Sequence, residues 1–194
     1  ASYAIEGQGS NNYINVKRMM ATDPGAFRAI MEKMTASAID YLNYQIDEGV
    51  QALQIFDSWV GCLSVSDYRN HVFAHSKKLL DSISGKVPVI HFGTGNPSLL
   101  PLMAEAGGDV MALDWRAPLK ESWELLGCKA VQGNMDPVAL FGSVDSVRQA
   151  AGLILEEVGG RPGHIFNLGH GILPETPVEN VKALVEFVQG YQTS

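Results

Sequence analysis

Five short apolar runs in this sequence end in, or carry, groups able to bind or react. Asp57 and Ser58 close the first and His91 lies in the second. Asp114 and Arg116 close the third, Gln132 and Asn134 the fourth, and Asn167 and His170 the fifth. Carboxylates, imidazoles, a guanidinium and a hydroxyl in such places can hold an anion, orient a polar ligand or move a proton near neutral pH. The ordinary alternative is that a strand ends wherever a polar loop begins, and position by position it is the stronger explanation. Repetition over five strands favours convergence, because strand ends of a barrel open on one mouth.

Taken singly, the residues separate. His170 stands between Gly169 and Gly171 just past the fifth run, where a ligand-binding imidazole and an idle surface imidazole are equally good readings. His91, inside an apolar strand, reads as a hydrogen-bonded core histidine, and His71, His75 and His164 as helix or loop surface. The acidic pairs Asp47-Glu48 and Glu156-Glu157 fall at helix ends and read as solvated surface. Ser58 has no histidine near it in sequence and no GxSxG surrounds any serine, so nucleophilic catalysis lacks support. Cys62 and Cys128 lie far from each other and from other ligands in sequence, so zinc is disfavoured and no metal is expected. The three Gly-x-Gly sequences at Gly7, Gly93 and Gly169 never extend to GxGxxG, and no P-loop occurs; they read as turns or close backbone approaches.

The elements that must position these groups alternate. The apolar runs 52–58, 87–93, 109–115, 129–134 and 163–169 are short, apolar on both faces and bounded by turn residues, as in a parallel sheet buried on both sides. Helical stretches separate them. Asp23-Pro24 offers a cap and a first-turn proline for a helix running to Gly49, and Asn96-Pro97 and Asp136-Pro137 repeat the device. Thr176-Pro177-Val178-Glu179 reads as a capping box, with Val178, Val181, Val185 and Val188 along the helix's apolar face. Ala1 to Glu6 reads as a helix end closed by Gly7, and Asn11 to Met20 as a further helix.

Alternating strand and helix means an α/β fold. The 194 residues are expected to form one domain, 1–194, and are too few to close an eight-stranded barrel, which takes about 250 residues. Lys and Arg number 14 against 21 Asp and Glu, a net charge of −7 with the cations scattered, which argues against nucleic-acid binding. No apolar run approaches the roughly 18 residues of a membrane span. Two cysteines favour a reducing compartment over a disulfide scaffold, and the opening ASYAIEG is no signal peptide.

Several phrases go further. ASYAIEGQGS, QALQIFDSWVG, VMALDWRAPL, VQGNMDP and HIFNLGHGILPETPVENVKALVEFV, in that order over Ala1 to about Val188, closely resemble the uroporphyrinogen decarboxylase family. The resemblance implies a cytoplasmic, homodimeric (βα)₈ barrel that removes CO₂ from the four acetate side chains of uroporphyrinogen III, giving coproporphyrinogen III in haem biosynthesis with no metal or organic cofactor. It implies that Tyr3, Ser58 and His170 contact the substrate: Tyr3 near the reacting acetate, Ser58 on a carboxylate, His170 on a side chain of the tetrapyrrole. The family's pyrrole-binding aspartate and carboxylate-gripping arginines match nothing here. The chain is therefore expected to be a C-terminal portion carrying the last five βα units, with no catalytic residue of its own and no activity alone. Gln8, where the family commonly has glycine, is expected to be without consequence. Exposed strand edges predict self-association. Two other readings stand beside this one. A corrinoid methyltransferase of the same superfamily would need a His-x-Cys zinc motif where His91-Phe92-Gly93 stands; a non-catalytic module would use open sheet edges to bind a protein.

Overall fold

The computed structural model describes residues 1–10 and 12–192. Their contacts divide into two compact units, Ala1–Asp109 and Val110–Ser194, and each is described by itself. Among the described residues no helix is long and apolar enough to cross a membrane.

The first unit opens with three helices, α1 (Ser2–Glu6), α2 (Ile14–Thr22) and α3 (Pro24–Asp47). Gly7 ends α1 as expected: it adopts φ 73° and its N–H donates to the Tyr3 carbonyl at 2.9 Å. The helix expected over Asn11 to Met20 starts at Ile14 instead, with Tyr13 as its cap at a left-handed φ of 50°; Asn11 itself lies outside the described residues. Asp23 caps α3 by accepting from Ala26 N at 2.9 Å, and Pro24 occupies the first turn. Strands β1 (Leu53–Asp57) and β2 (Val89–Gly93) pair in parallel, Leu53 opposite Val89 and Asp57 opposite Gly93. Between them run α4 (Val65–His71) and α5 (Phe73–Ile83), and α6 (Leu100–Ala106) follows β2. Leu42 of α3, Leu80 and Ile83 of α5, Leu53, Val89 and Ala106 share one core, so the helices are held by the apolar surface they bury against the strand pair.

The second unit holds β3 (Val110–Ala112), α7 (Leu119–Leu126), β4 (Ala130–Gln132), α8 (Val144–Val158), β5 (His164–Ile165) and α9 (Val178–Gly190). Its strands are parallel, β3 on β4 and β4 on β5. Met135, Leu140, Val147, Ala151 and Leu184 form its core. Each expected strand is present, and strand alternating with helix bears out the α/β reading.

Four expectations change. Asn96 and Asp136 do cap, accepting from Ser98 N at 3.2 Å and Val138 N at 2.9 Å, but each opens a short 3₁₀ turn rather than an α-helix. The Thr176–Glu179 capping box does not form. Pro177 is the cap residue, while Thr176 belongs to a preceding turn in which its N–H donates to Leu173 O at 3.1 Å. The buried face of α9 is Asn180, Ala183 and Leu184, so at 100° per residue Val178 and Val185 fall on the far side and are exposed. Finally, β1 and β5 are not buried on both faces: Phe56 is 66% and Ile165 43% exposed, whereas all of β3 is buried.

Candidate functional site

In the first unit, Tyr3 and Ser58 come together although 55 positions separate them. Both line a cavity of about 450 Å³, with Ser10, Tyr13, Trp59, Cys62 and Thr94 among its other walls. A neighbouring cavity of about 710 Å³, largely apolar, shares Tyr3 and Ser58 and extends along α3 and β1 past Met31, Tyr41 and Phe56.

Local chemistry places Tyr3. Glu6 accepts from Val16 N and Asn15 Nδ2, each at 3.0 Å, so the end of α1 caps the start of α2. Ser10 Oγ accepts from Tyr13 N at 2.9 Å and secures the turn between them. The Trp59 ring then packs edge-on to Tyr3 at 6.0 Å and tilted against Tyr13 at 5.9 Å. Tyr13 is buried, and that burial raises its phenol above the ordinary 10.0, with smaller contributions from Cys62, Tyr3 and Glu6. Tyr3 is 61% exposed and forms part of the cavity wall. Burial likewise raises the Cys62 thiol above 9.0, which makes it a poor nucleophile there.

Ser58 is placed by the clasp between the exits of β1 and β2. Thr94 Oγ1 donates to the Ser58 carbonyl at 2.9 Å, and Asn96 Nδ2 donates to Leu63 O at 3.0 Å. The two exits touch so closely that a Cβ on Gly61 would stand 2.0 Å from Thr94 O, so only glycine fits. Next to Ser58 in the chain, Asp57 meets polar groups in an arrangement absent from the expectations. Ser76 Oγ donates to Asp57 Oδ2 at 3.1 Å, and His91 Nε2 lies 3.7 Å from the same oxygen. His91 is fully buried, with Nδ1 3.2 Å from Met103 O and 3.1 Å from Gly107 O. Carbonyls only accept, so Nδ1 carries a hydrogen. His91 is thus the core histidine that its apolar strand suggested. Burial, and then the Asp57 charge, push the neighbouring Tyr68 phenol far above its ordinary value.

His170 belongs to the second unit. It is exposed, and its Nδ1 accepts from Gly171 N at 2.7 Å. That bond fixes the neutral ring as the Nε2–H tautomer, with the donor turned away from its own backbone. The loop is anchored through main chain: Met135 N donates to Asn167 O at 3.1 Å and Gly169 N to Met135 O at 2.7 Å. His164, expected on the surface, instead heads β5 half-buried, with Nε2 2.6 Å from Gly133 O. Its burial lowers it below 6.5, against a smaller opposing pull from that carbonyl.

Tyr3 and Ser58 are therefore brought to one wall, and His170 is presented as a donor within its own unit. Trp59, Tyr13 and the Ser76–Asp57 hydrogen bond escaped the sequence, since no spacing announces a ring packed on another more than forty positions away. Asp57 and His91 did stand among the strand-exit groups. Among the described residues no three His, Cys, Asp or Glu side chains gather as a metal would need.

Comparison with known proteins extends these observations. The family model described as uroporphyrinogen decarboxylase matches residues 1–191. A uroporphyrinogen decarboxylase of Koribacter versatilis is 50% identical over 196 residues, covering 100% of this chain and 56% of that protein. One from Carboxydothermus hydrogenoformans is 53% identical over 190 residues, covering 97% of this chain and 54% of that protein. The chain thus spans about half the length of the curated relatives it matches. Among solved structures, a methyltransferase from Methanosarcina mazei superposes with a TM-score of 0.79 at 24% identity, over 90% of this chain and 52% of its own. A dihydropteroate synthase from Xanthomonas albilineans gives 0.59 at 15% identity, over 82% and 63%. At such identities these two speak for the fold alone. A match this long at half identity, in the order the sequence phrases suggested, leaves one conclusion: the chain belongs to the uroporphyrinogen decarboxylase family.

Proposed function

We propose that this chain is the C-terminal portion of an enzyme that converts uroporphyrinogen III to coproporphyrinogen III, removing one CO₂ from each of four acetate arms. The observation that carries the reading is membership of the family over nearly the whole chain. The shared cavity wall of Tyr3 and Ser58 supports it.

The chemistry is a problem of electrons. When a C–CO₂ bond breaks, its electron pair must go somewhere. Protonating the pyrrole ring supplies the sink: the pair moves into the ring, CO₂ leaves, the exocyclic carbon is protonated to a methyl group, and the ring proton departs. The net change at each arm is uptake of one proton and loss of CO₂, with no oxidant or reductant. This chain's task in that sequence is to hold and orient. Tyr3 Oη donates beside the reacting acetate, Ser58 Oγ to a carboxylate, and His170 Nε2–H to another arm. Donors fixed before the reaction stabilise the developing charge without reorganising at the moment of reaction. The group that addresses the pyrrole nitrogens belongs to the part of the family's length outside this chain. A cytoplasmic location and self-association as a homodimer belong to the same proposal.

The test is decarboxylation of freshly reduced uroporphyrinogen III, with oxidised products separated by carboxylate number. The chain alone is expected to give no conversion. Extended to the length of its relatives, it is expected to yield the four-carboxylate product. No conversion by the extended protein would overturn the reading.

A further inference from the structure

Arg116 stands at the exit of β3, and the proposed function leaves it without a task. Its guanidinium is held on two sides. Nη1 donates to both Asp114 oxygens, at 3.0 and 2.7 Å, and the group lies 4.2 Å over the centre of the Trp115 ring. The Arg116 backbone N–H adds a third bond to Asp114, at 2.8 Å. Asp114 is 3% exposed, so the carboxylate grips from within while 47% of the Arg116 side chain stays open. A guanidinium has five N–H donors. Two belong to Nη1, and the fork formed by Nε and Nη2 is of the shape that grips a carboxylate with two parallel bonds. Trp115 and Asp114 have already removed much of the freedom that a long cationic side chain loses on binding.

His170 is brought to the same place by main chain. A Cβ on Gly169 would stand 2.2 Å from Trp115 N and 2.7 Å from Trp115 Cα. The loop carrying His170 therefore touches the loop carrying Arg116, backbone to backbone. One side offers a pre-oriented cationic fork and the other a single Nε2–H donor.

We propose that Arg116 and His170 together form a carboxylate-binding site, Arg116 taking the two oxygens and His170 adding one bond. The ligand class is an organic carboxylate, here a carboxylate arm of the tetrapyrrole. The inference rests on the reading that His170 faces the substrate, and it adds a residue to that contact. A purely structural Arg116 would lock the exit of β3 through Asp114 and leave its fork idle.

Two probes separate the possibilities. Citrate reports on carboxylate binding alone; uroporphyrin III, the oxidised octacarboxylate, reports on the whole ligand. With isotope-labelled chain, citrate is expected to shift the Arg116 Nε–H and His170 ring resonances together and saturably. Arg116→Gln is expected to weaken uroporphyrin III binding by about tenfold, as the loss of one charge-assisted contact implies. Because Arg116→Gln also removes a partner of buried Asp114, Arg116→Lys serves as the second variant. It keeps the charge without the fork and is expected to weaken binding several-fold with an unchanged melting temperature. If both Arg116 variants bind uroporphyrin III like the parent while His170→Gln does not, the inference is wrong and the proposed function stands. If citrate moves both resonances but uroporphyrin III does not bind even to the protein extended to the length of its relatives, the carboxylate site stands and the proposed function fails. Citrate that leaves Arg116 Nε–H unmoved overturns the site.

Discussion

The exits of β1 and β5 present a hydrogen-bond donor by opposite means. At the β1 exit, side chains hold the chain: Ser76 donates to Asp57, and Thr94 clasps the Ser58 carbonyl. The presented hydroxyl lines a cavity walled by aromatic rings. At the β5 exit, main chain does the holding, through Met135 on both sides of Leu168 and through Gly169 against Trp115. The presented imidazole stands in the open. The difference teaches where each exit is fragile. The first depends on half-buried polar side chains, the second on the absence of one side chain.

The largest effect should come from Gly169→Ala. A methyl 2.2 Å from Trp115 N forces main chain apart, and a stability loss of about 3 kcal/mol is expected by denaturant titration. His170→Ala, one residue away and exposed, should change stability by less than about 0.5 kcal/mol. Equal effects at the two positions would break the comparison. Next comes His91→Leu at the other exit. It leaves Met103 O and Gly107 O without their donor, and a loss of about 2 kcal/mol is expected. A neutral result would show that the bonds from His91 Nδ1 to Met103 O and Gly107 O do not hold β2 to the end of α6.

The smallest effect is a pH dependence. Burial lowers His164 below the ordinary 6.5, so the unfolded chain takes up that proton first as pH falls. Stability is therefore full above about pH 6.5, declines as pH drops through it, and levels off below the folded value. His75, lowered by burial too, adds the same sign. The melting temperature should rise from pH 5 to pH 7, and His164→Gln should flatten that rise. An unchanged slope would return His164 to the surface role its sequence suggested.

Much of the scaffold was legible because its signals are local. Gly7 ends α1, Asp23-Pro24 starts α3, and five apolar runs become five strands without reference to anything distant. What escaped was set by packing. Valine spacing could not say which side of α9 is buried, since Asn180 turns inward to donate to Leu140 O at 2.7 Å and Gly142 O at 2.8 Å. The acidic pair Glu156-Glu157 is exposed as read, but spacing did not show that Glu157 of α8 also accepts from Lys120 N at 2.7 Å and caps α7 from outside. Likewise Tyr3 was marked by a family phrase alone, and Ser58 by its strand end but with a substrate role only through the family phrase. Their shared wall depends on Trp59 meeting a helix more than fifty positions earlier.

The central proposal is that Tyr3 and Ser58 address a single ligand, and a crystal structure of the protein at its relatives' length with uroporphyrin III tests it most directly. The proposal predicts Tyr3 Oη and Ser58 Oγ each at about 3 Å from oxygens of one porphyrin. A porphyrin held elsewhere, or touching only one of the two, would contradict it.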